Sequence, residues 1–337
     1  MPVAPLRIGI LGAARIAAEA LCAPAAVTGD RVVAVAARDR PRAEAFAAAH
    51  GVERVHDDYA AVLADPEVEV VYNPLANALH GPWNLAAIAA GKHVLSEKPF
   101  AANAVEAREV AAAARAAGVV VLEAFHHHHH PVLQRLLAIA ASGELGTVRR
   151  VETTFLMPAP PDGDPRWSAD LAGGAVMDIG CYALHIQRAL GRAVLGGEPQ
   201  VVSAEGAERS PGVDARLAAE LVFPSGATGR AHCDMEATGW AVTARVAGDH
   251  GEALARDVTL PHRDDRIEVT AGGRSRTERL GTRPTYLYQL EVLRAHLRAG
   301  APLPLGLDDA VANAELIDAA YTAAGFAPRR RFAPAGA

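Results

Sequence analysis

Three polar side chains lie along one predicted helix in the second half of the chain. In the segment LAGGAVMDIGCYALHIQRAL, Asp178, Tyr182 and His185 are spaced i, i+4 and i+7, so we expect them to share a face of that helix. A carboxylate, a phenol and an imidazole in this arrangement can exchange a proton with a substrate oxygen. The alternative is structural, namely a buried tyrosine with a satisfied hydroxyl and an incidental surface histidine.

A lysine follows a predicted strand in the first half of the chain. The sequence HVLSEKP places Glu97 and Lys98 at the carboxyl edge of a parallel sheet, where open α/β sheets bind their ligands. A lone lysine at a strand end is often only solvated, so its candidacy depends on a partner. The helix that carries Tyr182 offers one.

A glycine-containing turn between the first predicted strand and helix is typical of dinucleotide binding. RIGILGAARIA places Gly12, Ala14 and Ala17 at the three positions of a GxGxxG/A fingerprint. Gly12 permits the tight turn, and backbone N–H groups at the helix start can bind a pyrophosphate. Because Ala14 stands at the second glycine position, we expect the backbone to approach the phosphates slightly less closely.

The end of the second predicted strand indicates which dinucleotide is bound. An NAD enzyme normally offers a carboxylate there to the adenosine ribose. In VVAVAARD, Ala37 stands at this position and Arg38 follows, whose guanidinium suits a 2′-phosphate. The sequence therefore predicts NADP as the cofactor. NAD is the alternative if the carboxylate of Asp39 points toward the adenosine ribose. A solvated surface arginine is the structural alternative.

Five predicted strands alternate with helix-forming segments such as Pro41–His50 and Asn103–Ala117, which is the pattern of a parallel sheet. We therefore expect an α/β Rossmann domain with a doubly wound sheet over residues 1–125. The predicted strands are Leu6–Leu11, Arg31–Ala37, Val68–Asn73, His93–Ser96 and Val119–Ala124.

The regular alternation of strands and helices ends at residue 125. The sequence of residues 126–337 predicts an α+β domain with a large, mostly antiparallel open sheet. A helix (Pro131–Ser142) and a strand (Val148–Leu156) come first, and residues 200–280 repeat strand-and-turn patterns that include a hairpin at PSG. Helices Thr285–Arg298 and Asp308–Ala323 follow, the second with Asp308 or Asp309 at its start. In LAAELVF and WAVTARVAG, apolar residues stand at successive positions and would therefore lie on both faces of the sheet. We expect a second copy of the chain to cover the outer face, which predicts a homodimer or homotetramer.

A run of five histidines, His126–His130, joins the two predicted domains. If the preceding strand continues, alternate imidazoles point to opposite faces, so that about two reach the active-site cleft. No carboxylate or cysteine completes a metal site, so we predict none. We expect His128 to contact substrate, together with Arg166 and Trp167, whose guanidinium and ring suit substrate oxygens and a sugar ring.

Composition favours a small-molecule partner. A formal net charge of −6 gives no basic surface for nucleic acid, and no segment is long and apolar enough for a membrane span. The N-terminus lacks the features of an export signal, so we expect a cytoplasmic protein. Three widely spaced cysteines fit neither a disulfide framework nor a CxxC metal site.

Taken together, the motifs GILGAARIA, AGKHVLSEKPF and GGAVMDIGCY resemble the Gfo/Idh/MocA family of oxidoreductases. The likeness extends over nearly the whole chain through NPLANALH, SGELGTVRRVE and PTYLYQLEVL. The inositol dehydrogenase branch has a catalytic histidine where this chain has Tyr182. With a tyrosine at this position, the chain resembles the branch that contains glucose-fructose oxidoreductase, dimeric dihydrodiol dehydrogenase, NADP-dependent xylose dehydrogenases and nucleotide-sugar 3-ketoreductases.

The resemblance implies hydride transfer between nicotinamide and a substrate carbon, with Tyr182 exchanging the proton on that carbon's oxygen. Lys98 would assist, because a nearby cation favours the phenolate of a tyrosine whose free pKa is about 10. Asp178 would orient the polar group beside it, and His185 is a substrate contact and a second candidate for proton exchange. The cofactor contacts implied are Gly12, Ala14, Arg15, Ile16, Arg38, Asn73, Leu75, Asn77, His80, Glu97 and Lys98.

One departure puts the substrate class in doubt, because related proteins usually have an arginine flanked by aromatics where this chain has His127 to His129. The main hypothesis is a sugar or polyol dehydrogenase or reductase. Alternatives are a nucleotide-sugar 3-ketoreductase, a glycosidase that acts by transient oxidation with bound NAD, and a non-catalytic sensor. Retention of both Lys98 and Tyr182 argues against the sensor.

Overall fold

The computed structural model describes residues 4–332, which form two compact units. Residues 4–125, 286–312 and 331–332 make the first, and residues 126–285 and 313–330 make the second. The units divide after residue 125, where the sequence placed its boundary, but residues 286–312 belong to the first unit rather than to the predicted second domain. Arg294 and Arg298 explain this, since their guanidinium groups donate to carbonyl oxygens of Thr28 and Ala4.

The first unit contains a five-stranded sheet in the order β2-β1-β3-β4-β5, in which all neighbours are parallel. Its short apolar strands are buried on both faces, as expected for a sheet covered by helices on both sides. The predicted Rossmann fold is confirmed. The strands are β1 (Arg7–Leu11), β2 (Arg31–Ala36), β3 (Val70–Asn73), β4 (His93–Ser96) and β5 (Val121–Glu123).

Helices of this unit begin at side chains that cap them. Asp39, Asp58 and Asn103 each accept a backbone N–H from the first turn of the helix that follows, which satisfies a donor left free at a helix start. The helices are α1 (Arg15–Ala17), continued by a π turn (Ala18–Cys22) into α2 (Ala23–Thr28), then α3 (Arg40–His50), α4 (Tyr59–Ala64), a 3₁₀ turn (Asn77–Leu79), α5 (His80–Ala89) and α6 (Ala104–Ala117).

The second unit is built on an eight-stranded sheet in the order β13-β12-β11-β10-β6-β9-β8-β7. All neighbouring strands are antiparallel except β6 and β9, which confirms the predicted mostly antiparallel sheet. The elements are α7 (Pro131–Ala141), β6 (Val148–Leu156), a π turn (Val176–Gly180), α8 (Cys181–Val194), β7 (Gln200–Ser210), β8 (Val213–Val222), β9 (Thr228–Asp234), β10 (Ala241–Gly248), β11 (Gly251–Ala255), β12 (Arg266–Ala271) and β13 (Arg274–Arg279).

The predicted hairpin at PSG joins β8 to β9, where Gly226 has a φ of 85°. Helix α9 (Thr285–Ala299) follows the sheet, and α10 (Leu307–Ala323) starts one residue before the predicted Asp308. Asp308 and Asp309 therefore lie in its first turn, where a carboxylate is favourable, instead of preceding it. No helix in the described range is long and apolar enough to cross a membrane.

One face of the large sheet carries α8, and the opposite face carries ion pairs. Thr153 Oγ1 donates to the carbonyl oxygen of Ala183, and the amide of Gln187 donates to that of Arg230, so α8 is bound to the strands beneath it. On the outer face, ion pairs join Arg150 to Glu152, Arg230 to Glu220, and Arg245 to both Glu152 and Glu252. The expectation of an apolar outer face is therefore wrong, because Leu217, Ala219 and Leu221 are buried and Glu220 lies on the outside.

Candidate active site

The glycine turn after β1 has the backbone that a phosphate site requires. Gly12 has a φ of 97°, and its N–H donates to the carbonyl oxygen of Ala36 at 2.8 Å. A side chain at Gly12 would lie 3.0 Å from Leu75, so the turn and the end of β3 are brought close together. Ala14 precedes helix α1 in extended conformation. The N–H groups of Arg15 and Ile16 therefore lie at the start of α1, where such groups can bind a phosphate.

The residues after β2 fit a phosphorylated ribose. The carboxylate of Asp39 accepts the N–H of Arg42 at 2.9 Å, so it is engaged as the cap of α3 and does not turn in. Arg38 is exposed. Burial raises the pKa of Tyr59, and the positive charges of Arg38 and Arg42 oppose that rise. The guanidinium of Arg42 donates to the carbonyl oxygen of Ala13 in the glycine turn at 3.0 Å. A cationic site without a free carboxylate suits a 2′-phosphate.

The segment NPLANALH is bound to the loop that carries Lys98. The amide of Asn73 donates to Asn84 Oδ1 at 2.9 Å and to the carbonyl oxygen of His80 at 3.2 Å. His80 itself lies between two carbonyl oxygens, with Nδ1 2.7 Å from that of Pro99 and Nε2 2.8 Å from that of Leu75. Burial lowers the pKa of His80 to about 4, so this link stays neutral near physiological pH.

Glu97 and Lys98 follow β4 at the carboxyl edge of the sheet. The hydroxyl of Tyr72 donates to Glu97 Oε1 at 2.8 Å within the core. Lys98 is half-buried, precedes a cis peptide bond to Pro99, and its charge contributes to the lowered pKa of His80. The structure thus brings together the predicted residues at the ends of β3 and β4, and Asn77 begins the 3₁₀ turn between β3 and α5.

The histidine run differs from the prediction, because it does not continue the preceding strand. His126–His129 form a 3₁₀ turn, and His130 caps α7 by accepting the N–H of Val132 at 3.1 Å. Pro131 is the first residue of α7, a position that proline favours, and His130 before it is extended. In the 3₁₀ turn, His126 and His127 are both buried, whereas alternate residues of a strand would face opposite sides.

Tyr182 lies in the second unit against this turn. Its side chain is 8% exposed, and its hydroxyl oxygen is 3.0 Å from Nε2 of His126. Its ring stacks on that of Phe155 with centroids 5.8 Å apart and meets the ring of His127 edge-on at 5.2 Å. The phenol is therefore held by an imidazole at its oxygen and by aromatic packing on its ring.

The predicted substrate contacts His128 and His185 also belong to this cluster. The ring of His185 lies 5.1 Å from that of His127 and 5.6 Å from that of His128. Burial lowers the pKa of His127 well below its usual value, and the surrounding imidazoles add to the effect. Among the described residues, no group of three or more histidine, cysteine or acidic side chains is arranged to hold a metal ion.

Asp178 occupies a π turn instead of the regular helix that was predicted, so its spacing to Tyr182 crosses from one helix type to another. Its carboxylate lies 3.7 Å from the guanidinium of Arg166, which also pairs with Asp164 at 2.9 Å. The neighbouring Trp167 is covered on one ring face by Arg209 at 4.6 Å. Two predicted site residues, Asp178 and Arg166, are thereby joined, and only the other face of Trp167 can pack on a ligand.

Comparison with known proteins identifies the family. The model of an oxidoreductase family with an NAD-binding Rossmann fold, GFO_IDH_MocA, matches residues 6–125, and that of the GFO/IDH/MocA C-terminal domain matches residues 133–254. The chain belongs to the Gfo/Idh/MocA family. It is thus an oxidoreductase with a nicotinamide-binding Rossmann domain, and the resemblance seen in its motifs is confirmed.

Family members of similar sequence and structure act on sugars. A D-xylose 1-dehydrogenase (NADP(+)) 2 of Haloferax volcanii is 34% identical over 322 residues, which cover 95% of this chain and 97% of that one. A dTDP-3,4-didehydro-2,6-dideoxy-alpha-D-glucose 3-reductase of Streptomyces antibioticus is 41% identical over 188 residues, or 55% and 56% of the two chains.

A crystal structure of a 3-ketoreductase from Actinomadura kijaniata with NADP and TDP-benzene has a TM-score of 0.88 at 28% identity, covering 95% of this chain and 98% of that one. Structures of two variants of that protein, one altered at a lysine and one at a tyrosine, match with TM-scores of 0.85 and 0.88. The altered lysine and tyrosine are separated by the same number of residues as Lys98 and Tyr182.

Within this family fold, three contacts of Tyr182 escaped the sequence argument, which are those with His126, His127 and Phe155. The available signal was Pro131, because proline is favoured at the first position of a helix and so marks the histidine run as a connection between strand and helix. In a connection, adjacent histidines can face the same helix. Phe155 carried no such signal, since its approach to Tyr182 depends on how α8 lies on β6.

Proposed function

We propose that this chain is an NADP-dependent dehydrogenase or reductase that interconverts a hydroxyl and a carbonyl group of a sugar, polyol or related small molecule. The observation that carries the proposal is that the chain has both a half-buried lysine directly after β4 and a buried tyrosine on α8. The variants of the Actinomadura kijaniata 3-ketoreductase alter a lysine and a tyrosine at the same separation, which supports these two residues as the reacting pair.

A bound nicotinamide dinucleotide would supply or accept the hydride, and the chain's own residues would handle the proton. Tyr182 would exchange it with the substrate oxygen. Lys98 would stabilise the phenolate and hold the same oxygen, because a cation lowers the pKa of a nearby phenol. Asp178, fixed by Arg166, would orient the polar group beside the reacting carbon.

NADP is proposed over NAD on the contacts at the end of β2. The carboxylate that could select NAD, that of Asp39, is engaged in capping α3. Arg42 donates to the carbonyl oxygen of Ala13 in the glycine turn, and the charges of Arg38 and Arg42 both act on the phenol of Tyr59 beside that turn. Gly12, Ala14, Arg15 and Ile16 would hold the pyrophosphate, and the relatives that carry NADP in their names agree with this choice. The remaining contacts would come from Asn73, Leu75, Asn77, His80, Glu97 and Lys98.

The substrate would be carbohydrate-like, in keeping with the sugar dehydrogenase and the sugar reductase that the chain resembles. His128, His185, Arg166 and one face of Trp167 would contact it. A homodimer or homotetramer remains our proposal for the assembly. Its interface on the large sheet would be polar, because ion pairs line the outer face.

The test is a screen of aldoses, ketosugars, polyols, dihydrodiols and a dTDP-linked keto sugar with each nicotinamide cofactor. The absorbance of the reduced nicotinamide measures net turnover. We expect net consumption of NADPH or net formation from NADP⁺ with one substrate class. Release of an aglycone without net cofactor turnover would contradict the proposal and favour a glycosidase that acts by transient oxidation.

A further inference from the structure

The hydroxyl of Tyr182 is one end of a chain of hydrogen bonds inside the second unit. Nε2 of His126 lies 3.0 Å from Tyr182 Oη, and Nδ1 of the same ring lies 2.7 Å from Thr285 Oγ1. His126 is 2% exposed and Thr285 is fully buried. The imidazole therefore links the phenol to a second hydroxyl away from bulk water.

The far end of this chain sets the tautomer of His126. The Thr285 hydroxyl donates to the carbonyl oxygen of Thr259 at 3.3 Å, which leaves its oxygen to accept from Nδ1–H of His126. A neutral imidazole has one N–H, so Nε2 is then an acceptor. Tyr182 donates its hydroxyl hydrogen to that nitrogen.

We propose that His126 is the proton relay of Tyr182 in the reaction proposed above, on which this inference rests. In the oxidation direction, the phenolic proton passes from Tyr182 Oη to Nε2 of His126, and the substrate hydroxyl proton passes to Tyr182 Oη. The C–H bond of the same carbon breaks with its electron pair, as a hydride to the bound cofactor, and a carbonyl forms. His126 becomes an imidazolium, and the reverse reaction returns its proton to Tyr182.

Several titratable groups surround His126. The ring of His127 meets that of His126 edge-on with centroids 6.1 Å apart, and burial and its neighbours hold the pKa of His127 well below the usual value. Burial likewise lowers the pKa of His129 to about 4. The other groups that face the ring or its partners are Tyr182 and His185 on α8, His128 in the same turn, and Asp257, whose carboxylate accepts from Thr259.

The relay is tested by the pH dependence of kcat in the oxidation direction, with His126→Gln, Thr285→Val and His129→Gln compared to wild type. His126→Gln keeps a hydrogen-bonding amide near the phenol but cannot accept a proton. We expect kcat to fall roughly 10²-fold near neutral pH, with the acidic limb displaced from the imidazole range toward the phenol pKa of about 10.

Thr285→Val removes the partner that sets the tautomer, so we expect a smaller loss, about 10-fold, and a displacement of the limb in the same direction. His129→Gln is the matched control in the same turn, where the ring of His129 packs edge-on against that of His128. It should change the free energy of unfolding without moving the limb. Histidine ¹⁵N NMR of the wild-type protein without cofactor should show His126 with its proton on Nδ1.

Coincident pH profiles of wild type, His126→Gln and Thr285→Val would overturn the relay proposal. An NMR spectrum that shows His126 with its proton on Nε2 would overturn it as well. The NMR measurement and Thr285→Val keep the test valid if His126→Gln does not fold. Tyr182→Phe separates the two proposals. If that variant retains turnover, the proposed role of the tyrosine is wrong, whereas its inactivity beside an unchanged His126→Gln profile removes only the relay.

Discussion

The polar clusters of the two units are held by different kinds of contact. At the ends of β3 and β4, Asn73, His80 and Glu97 hydrogen-bond to carbonyl oxygens and neighbouring side chains of the same sheet edge. Around Tyr182, by contrast, the rings of His127 and His185 pack edge-on at about 5 Å, and His126 bonds to the phenol. The first cluster fixes a backbone, and the second surrounds the phenol that we propose exchanges the proton.

This difference corresponds to two tasks. A dinucleotide is bound by backbone N–H groups and by a few charges whose positions must not change during the reaction. Proton exchange instead requires groups whose protonation can change near the operating pH. We expect a variant of Arg38 to alter cofactor affinity, and variants of Tyr182, Lys98 and His126 to alter turnover.

The largest effect expected is the loss of turnover in Tyr182→Phe and in Lys98→Met. Removal of a general acid/base usually costs roughly 10²–10⁴-fold in rate. Steady-state kinetics should show this loss in kcat, while fluorescence titration shows NADP(H) binding largely intact. If Tyr182→Phe keeps more than about a tenth of wild-type turnover, the proton-transfer role belongs elsewhere, with His185 as the next candidate.

The second prediction concerns stability at acid pH. Burial lowers the pKa strongly at three histidines of the second unit, to about 4 at His129 and His130 and well below its usual value at His127. The described part of the first unit has one such group, His80, and the pKa values of His93 in the first unit and His232 in the second are lowered less. In the unfolded chain these groups protonate near pH 6.5 and in the folded protein they stay neutral. Stability is therefore complete above about pH 6.5 and is lost as the pH falls from there toward 4.

Each pKa unit of difference corresponds to about 1.4 kcal/mol, so the unit with three such histidines should weaken first. Hydrogen exchange followed by mass spectrometry at pH 7 and pH 5, corrected for intrinsic rates, measures protection in both units. Greater loss of protection in residues 126–285 is expected. An earlier loss in the parallel sheet would show that the histidine cluster is not the acid-sensitive element.

A smaller effect is expected at the cofactor end from Arg38→Ala. Loss of a charge-assisted contact to the 2′-phosphate costs roughly 1.5–3 kcal/mol, which weakens NADP binding about tenfold or more. Binding of NAD, which lacks that phosphate, should change little. Equal losses for the two cofactors in a binding titration would count against the assignment of Arg38.

The smallest effect expected is that of Asp39→Ala, the matched control beside Arg38. Because this carboxylate caps α3, its loss should lower the free energy of unfolding by about 0.5–2 kcal/mol. The ratio of NADP to NAD affinity should stay within about twofold of wild type. Urea denaturation and cofactor titration measure the two quantities. A marked gain in NADP preference would show that Asp39 reads the ribose after all.

Much of the fold could be predicted from local sequence. The strand predicted at Val148–Leu156 is β6 with the same limits, and the hairpin at PSG joins β8 to β9, because alternation and turn residues act over a few positions. The charged outer face was also predictable in principle. Arg150 and Glu152 lie two positions apart on β6, which is the spacing of one face of a strand.

The details of the site depended on contacts distant in sequence. The turn at His126 is favoured by burial against Tyr182 and Thr285, far along the chain. The π turn that holds Asp178 ends at Gly180, where any side chain would lie 2.8 Å from the sulfur of Cys233 on β9. Neither constraint is visible in a local pattern, whereas the residue types of the proposed site could be recognised from the sequence.

The central claim, that Tyr182 and Lys98 act as one unit in proton exchange, is tested most directly by a double-mutant cycle. The kcat/KM of wild type, Lys98→Met, Tyr182→Phe and the double variant would be measured with the same substrate and NADPH. Because residues that act together are strongly non-additive, we predict a double variant only slightly slower than either single one. Losses that multiply would show independent roles and contradict the account.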